Sequence, residues 1–325
     1  MRITIQILPL CLLVLALPLS LVKPFNIIEV LVIILGAIGI RVGLVFHRLG
    51  YRATDKRIIL ETTSVSHYCE KIRWCLDYLN VSYIEEEDSG ILGLFIMGRT
   101  VPVLKIPGDK VTIGNSAQIL RYLYGEHCSE KKSVEFLQPT PERLRLEKKF
   151  DKLGFNYRVF AYYVVFSSSI VGKWEKEVLG LYQPGVPEWQ KLILKIFSPV
   201  FRITMKLNIN AENGMKRLKE ARETINEVDQ ILSDGRKTLL GTAEPTYLDF
   251  HFSSMIAIML RPPDYGGGIL TKQTWDPNQK DMPQRFVEEK EYLMKTRAGK
   301  LAMNMYEHYR HHKLCDEVFS DEKRD

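Results

Sequence analysis

The chain has 325 residues, is 46% hydrophobic and 26% charged, and carries a formal net charge of +6. Its length allows one or two domains with a substantial core. The charge is mild and forms no basic stripe interleaved with aromatic residues, so the sequence does not favour a nucleic-acid partner. The cysteines form neither a CxxC pair nor a metal-ligand spacing, so we expect no metal and a reducing, cytosol-facing environment. They are Cys11, Cys69, Cys75, Cys128 and Cys315.

Two apolar runs occupy the first fifty residues, at 3–22 and 26–46. Each is long enough to cross about 30 Å of hydrocarbon, and the charges of the second run, Glu29 and Arg41, stand near its ends. The link "KPF" allows only a tight hairpin. The sequence therefore predicts a membrane anchor of one or two transmembrane helices. Alternatively, the first run is a cleaved signal peptide with Arg2 as its basic n-region.

The flank after the second run is basic, which predicts that everything beyond residue 50 faces the cytosol under either interpretation. A sequon at Asn80 would be glycosylated only in a lumen. The identity of the membrane stays open. The basic residues are Arg48, Arg52, Lys56 and Arg57.

Residues 57–126 carry the pattern of a compact α/β unit. "RIILE" predicts a strand, and the following helix has apolar positions Cys69, Ile72, Leu76 and Leu79 at helical spacing. "VSYIEEED" predicts a second strand, "VPVLKI" and "KVTIG" a hairpin, and "NSAQILRYLYGEH" a closing helix with an amide N-cap. A short apolar segment at about 91–97, between the second strand and the hairpin, completes the order β-α-β-α-β-β-α. This order is that of a thioredoxin-like fold with a four-stranded sheet.

Three short motifs in this unit resemble one family. "SHYCEKIR" is similar to the active turn of glutaredoxins and glutathione transferases, "TVPVL" to the segment that carries a cis-proline, and "IGNSAQILRYL" to a polar-Ser step that opens a helix. Together, residues 57–126 resemble the N-terminal domain of cytosolic glutathione transferases.

Residues 140–312 predict an all-helical domain, with its last helix over about 288–312 and a charged tail at 313–325. "LLGTAEPTYLDF" resembles the C-terminal-domain signature of the same family. Thr246 and Asp249 form a capping box there, a structural role. The fold expected is thus an α/β thioredoxin-like domain followed by an all-α glutathione-transferase C-terminal domain.

Residues 174–208 form a stretch longer than we expect for the family. Its apolar and basic residues could lie on a membrane surface, or could form an ordinary core helix or a dimer contact. The apolar positions are Leu192, Ile193, Ile196, Phe197, Val200 and Phe201, and the basic ones are Lys191, Lys195, Arg202 and Lys206.

The resemblance implies chemistry at the turn after the first strand. Ser66 stands where the family places its active Ser or Cys, and its hydroxyl could donate a hydrogen bond to the glutathione thiolate. Tyr68 is the second candidate. Because position 66 is a serine, no dithiol exchange is available. Cys69 stands at the start of the helix, where the pKa of its thiol could fall. It also lies on the apolar helix face with Ile72 and Leu76, which favours a buried, inert thiol.

The resemblance also implies a glutathione site. Val101 beside cis-Pro102 would pair with the cysteinyl backbone, Asn115 and Ser116 would hold the γ-glutamyl carboxylate, and His67 would line the site. The sequence departs from the family at two of these positions. His67 replaces a proline or small residue, and Asn115 replaces the commoner Glu or Gln.

Two functions follow from the resemblance. The first is a membrane-anchored glutathione transferase-like enzyme that uses glutathione as co-substrate, without a metal, and attacks a hydrophobic electrophile. The second is a non-catalytic membrane protein of the same fold that acts as an interaction or structural module. The partners expected are glutathione, a small hydrophobic electrophile and the lipid bilayer, with no nucleic acid. Whether the chain also forms a homodimer is left open.

Overall fold

The computed structural model describes most of the chain beyond residue 56. The described ranges are 57–63, 65–89, 101–106, 111–129, 131–167, 179–196, 210–268 and 282–310, the backbone of 315–319, and residues 36, 176 and 198 singly.

The first unit is an α/β layer whose four strands have the expected thioredoxin-like arrangement. The apolar segment expected at about 91–97 lies outside the described residues. Strand β1 pairs in parallel with β2 and antiparallel with β3, which forms the hairpin with β4. Helix α1 follows β1 and helix α2 follows β4. The elements are β1 Ile58–Thr63, α1 His67–Tyr78, β2 Tyr83–Asp88, β3 Val103–Ile106, β4 Val111–Gly114 and α2 Ser116–His127.

A fifth strand, β5 Cys315–Phe319, extends the sheet beyond β2 in the order β4-β3-β1-β2-β5. It pairs in parallel with β2. The sequence assigned this segment to a charged tail, and its charges are typical of a short strand at a sheet edge. Its partner lies more than two hundred residues away, so no local signal marks it as a strand.

The rest of the described chain is helical, as expected. Helix α6 lies at its centre, and all but one of its residues are buried. The helices are α3 Lys131–Leu137, α4 Pro141–Ser167, α5 Ala211–Ile231, α6 Tyr247–Leu260, α7 Gln284–Lys295 and α8 Arg297–Tyr309, and residues 188–196 are also helical.

The sequence predicts a single last helix over about 288–312. This prediction is wrong, because the structure has two helices there, α7 and α8. The backbone of Thr296 is extended, and its side chain accepts a hydrogen bond from the amide of Gly299 at 2.9 Å. A hydroxyl acceptor at this position is an N-cap, so it ends one helix and begins the next.

Helix α1 joins the two units through stacked rings and buried charges. The Trp74 ring stacks on Phe250 of α6 with centroids 4.4 Å apart. Arg310, just after α8, donates to Glu70 at 2.8 Å and to Asp77 at 2.6 Å. Because these groups are buried, loss of one partner would leave an uncompensated charge. The position of α1 relative to the helical unit is thereby fixed.

None of the helices within the described ranges is both long and apolar enough to cross a bilayer. The expected spans at 3–22 and 26–46 lie outside those ranges, apart from Gly36.

Candidate functional site

The strand register brings three predicted site segments to one edge of the sheet. Val103 is the partner of Glu61 on one side and of Gly114 on the other. One residue further along this register, Pro102 therefore lies between the end of β1 on one side and Asn115 on the other. Both α1 and α2 begin at this edge, so the free N–H groups of two helix N-termini are available there.

Ser66 is the N-cap of α1. Its backbone is extended, and its hydroxyl oxygen accepts from the amide of Cys69 at 3.4 Å. Its own amide donates to the carbonyl of Thr63 at 3.1 Å, which closes the turn after β1. The side chain is half-buried. As the acceptor of a long capping bond, the hydroxyl keeps its proton for a ligand at the helix N-terminus.

The other two residues of this turn that could act on a sulfur are Tyr68 and Cys69. The Tyr68 hydroxyl donates to the backbone oxygen of Asp151 in α4 at 2.9 Å, and burial raises its pKa to about 12. Cys69 is fully buried, and burial raises the pKa of its thiol to about 11. A thiol in that state is the inert buried cysteine rather than a nucleophile.

The Val101–Pro102 peptide bond is cis, as the sequence predicted. Pro102 is buried at the start of β3 and Val101 is half-buried. The role expected for Val101 in pairing with glutathione stays a prediction.

Asn115 and Ser116 open α2. Asn115 has a positive φ of 76°, and its Oδ1 accepts from the amide of Ala117 at 2.9 Å. Ser116 is buried and begins the helix. The carboxamide oxygen of Asn115 is thus already used as a cap, and the amide N–H groups of the first turn are what this end offers to an anion.

His67 lies away from solvent, with 2% of its surface exposed. Its ring packs on Tyr68 and faces Gly154 of α4. Burial, followed by the charge of Arg158, lowers the pKa of His67 to about 3, so the imidazole is neutral. Within the described chain its Nε2 has no hydrogen-bond partner.

The sequence did not reveal a polar cluster behind this turn, in which Lys71 and His251 are buried and Asp151 is partly exposed. Lys71 Nζ lies 3.5 Å from Asp151 Oδ1 and 3.4 Å from His251 Nε2, and the latter is 3.1 Å from the same carboxylate oxygen. Burial opposes ionisation of Asp151, but the hydrogen bond from His251 and the charge of Lys71 hold its pKa well below its usual range. The cluster fixes α1 against α4 and α6. Its members are too far apart in sequence for any local pattern to reveal it.

A second ion pair fixes α1 to the sheet. Arg73 lies 2.6 Å from Glu85 on β2, and the Thr62 hydroxyl donates to the same carboxylate at 2.7 Å. From the sequence alone, Arg73 is only the last residue of the motif "SHYCEKIR". In the structure it anchors the helix whose N-terminus carries Ser66.

The predicted capping box of α6 is present and buried. Asp249 accepts from the amides of Thr246 and Leu239, both at 2.7 Å, and from the Thr246 hydroxyl at 3.0 Å. Its carboxylate therefore satisfies two backbone donors, which is a structural role.

Among the described residues, no three His, Cys, Asp or Glu side chains are grouped as ligands for a metal ion.

Part of the first unit is similar to a known family. Residues 65–126 match the family model "Glutathione S-transferase, N-terminal domain". No curated protein matches the chain.

Solved structures of low identity also align with the chain. A glutathione transferase from Phanerochaete chrysosporium is 16% identical over 78% of this chain and 97% of its own, with a TM-score of 0.49. A glutathione S-transferase of Ceriporiopsis subvermispora in complex with glutathione has the same identity and coverage, with a TM-score of 0.44. Because these scores lie below 0.5, the similarity to the family rests on the match over residues 65–126.

Proposed function

We propose that this protein is a membrane-anchored, glutathione transferase-like enzyme that activates the glutathione thiol for attack on a hydrophobic electrophile. The observation that carries the proposal is Ser66 as the N-cap of α1, at the sheet edge where α2 also begins. This edge lies within the segment that matches the transferase N-terminal domain, residues 65–126.

The reaction needs a thiolate at neutral pH. An ordinary thiol has a pKa of about 8.5, and a helix N-terminus with a hydroxyl donor lowers it. In the proposed complex, the Ser66 hydroxyl donates a hydrogen bond to the thiolate sulfur and keeps its proton, while the first turn of α1 supplies the positive dipole end. The thiolate then forms a bond to the electrophilic carbon, and any leaving group departs with the electron pair.

The N-terminus of α2 would bind the γ-glutamyl carboxylate. Its first-turn amides, opened by Asn115 and Ser116, are the orphan donors that favour an anion. The backbone of Val101 would pair with the cysteinyl part of the tripeptide. These three residues bind the ligand in the proposal and do not react.

The anchor and the topology belong to the same proposal. The two apolar runs would hold the catalytic domain at a membrane into which hydrophobic substrates partition, with the domain facing the cytosol. In sealed organelles, added protease should remove the domain, and Asn80, which is exposed, should carry no glycan. A glycan on Asn80 would contradict this orientation.

Asn115 and His67 support a second candidate, a non-catalytic membrane protein of the same fold. The Oδ1 of Asn115 already caps α2, and the imidazole of His67 is buried against α4. Both limit the side-chain contacts available to glutathione.

Retention on immobilised glutathione, followed by an assay with a model electrophile, distinguishes the two. The enzyme proposal expects retention and a rate that falls in Ser66→Ala. The exposed Ser129→Ala should behave as wild type. Neither retention nor rate in the wild-type protein would favour the non-catalytic candidate.

A further inference from the structure

The helical residues 188–196 have a buried polar side chain directed toward the sheet. Gln190 is fully buried, and its Nε2 donates to Asp88 Oδ1 at 2.6 Å. Its Oε1 accepts from both the amide and the hydroxyl of Ser89 at 2.9 Å. A glutamine is rarely so deeply buried unless both its amide nitrogen and its amide oxygen form hydrogen bonds, as they do here.

A neighbouring glutamine strengthens this attachment. Gln183 is also buried and donates to Glu87 Oε1 at 3.0 Å. The two glutamines thus bind successive acidic residues at the end of β2. Because the contacts are buried and directional, they fix which face of 188–196 turns outward.

The outward face is apolar. Trp189, Leu192 and Ile196 are 38%, 60% and 63% exposed, respectively. At about 100° per residue, positions 189, 192 and 196 fall within an arc of roughly 60°. Lys195 and Glu188 are exposed beside this arc. We call Trp189, Leu192 and Ile196 the apolar stripe.

The size of the stripe favours a lipid surface over a second copy of the chain. Large apolar side chains expose about 150–250 Å² when free, so three partly exposed ones offer on the order of 300 Å². A stable protein interface needs about 800 Å² from each partner. By contrast, a few apolar side chains with an adjacent cation are enough for a helix to enter the headgroup boundary.

The short stretch of chain between the second apolar run and β1 also favours a lipid surface as the partner. Residues 47–57 connect the second apolar run to the sheet, and eleven extended residues reach at most about 40 Å. If that run spans a membrane, the domain is held at the bilayer surface. An exposed apolar stripe on a tethered domain then meets lipid at a high local concentration.

We propose that the apolar stripe inserts into the acyl–headgroup boundary of the membrane that holds the anchor, with Trp189 at the interface and Lys195 directed to the headgroups. This inference rests on the proposed membrane anchor. It assigns to residues 188–196 an orienting function: the stripe sets which side of the catalytic domain faces the bilayer.

Tryptophan quenching in the full-length protein tests the proposal. The protein is reconstituted in phosphatidylcholine vesicles whose acyl chains carry bromine either near the headgroup or near the chain end. The difference between wild type and Trp189→Phe isolates the signal of Trp189. We expect quenching at least twofold stronger with bromine near the headgroup, because an interfacial helix enters only about 5–10 Å.

Two variants serve as controls. Met294→Trp in the Trp189→Phe background places a tryptophan at a position of similar exposure, 41%, on α7, and it should not be quenched. Leu192→Ser with Ile196→Ser should relieve the quenching of Trp189 at least about twofold, since the stripe then loses most of its apolar surface.

Flotation of the same vesicles separates this inference from the anchor. Protein that floats while Trp189 stays unquenched would overturn the stripe and leave the anchor intact. Failure to float together with absent quenching would overturn both. Stripe-dependent cross-linking between copies, with Trp189 unquenched, would instead assign the stripe to self-association.

Discussion

Gly154 of α4 packs against His67, the first residue of α1 after Ser66. A Cβ added there would lie 2.9 Å from Nε2 of His67 and closer still to the sulfur of Met255. Alanine is favoured over glycine in a helix by about 1 kcal/mol, whereas overpacking a core costs about 1–3 kcal/mol. Because a Cβ would lie so close to Met255 and His67, we expect the overpacking cost to exceed the propensity gain, so Gly154→Ala should lower the free energy of unfolding by up to about 2 kcal/mol.

Gly125 provides the matched control. It also lies within a helix, α2, but a Cβ there would meet nothing within 4 Å. Gly125→Ala should therefore raise the free energy of unfolding by about 0.5–1 kcal/mol, the propensity gain alone. Chemical denaturation of both variants and wild type measures the contrast. If Gly154→Ala proved as stable as Gly125→Ala, the packing of α1 on α4 described above would be wrong.

Two further predictions concern buried polar groups. Asp249→Ala should lower the free energy of unfolding by about 2–4 kcal/mol, because the amides of Thr246 and Leu239 lose their acceptor. Asp234→Ala, at an exposed carboxylate, should leave the free energy of unfolding nearly unchanged in the same denaturation assay. Burial, followed by the charge of a nearby cation, lowers the pKa of His67 from 6.5 to about 3. The stability that the neutral imidazole contributes is therefore complete above pH 6.5 and is lost as the pH falls toward 3. His67→Leu should reduce the slope of stability against pH by about 1.4 kcal/mol per unit between about pH 6 and pH 4, and equal slopes in the two proteins would contradict the burial of a neutral imidazole.

The features that the sequence predicted correctly are encoded by neighbouring residues. Asn115 caps α2, Pro102 follows a cis bond, and Thr246 with Asp249 caps α6. Each rests on a side chain and backbone groups within three or four residues, so a short motif is enough to reveal it.

The features that the sequence missed depend on contacts between distant residues. Strand β5 pairs with β2, and Lys71 meets Asp151 and His251 only when α1, α4 and α6 pack together. The same holds for Gln190, whose burial against the end of β2 turns the apolar stripe outward. Periodicity identifies an amphipathic helix but does not say which face its neighbours cover.

In the proposed reaction, Ser66 lowers the pKa of the thiol of bound glutathione. Titration of the ultraviolet absorbance of the thiolate, in the glutathione complexes of wild type and Ser66→Ala, tests this most directly. A hydrogen bond to a charged group contributes about 1.5–3 kcal/mol, so the pKa of the bound thiol should lie below the ordinary value of about 8.5 and rise by about 1–2 units in Ser66→Ala. Glutathione affinity should change little at a pH where the thiol is protonated. An unchanged thiol pKa in Ser66→Ala would contradict the account.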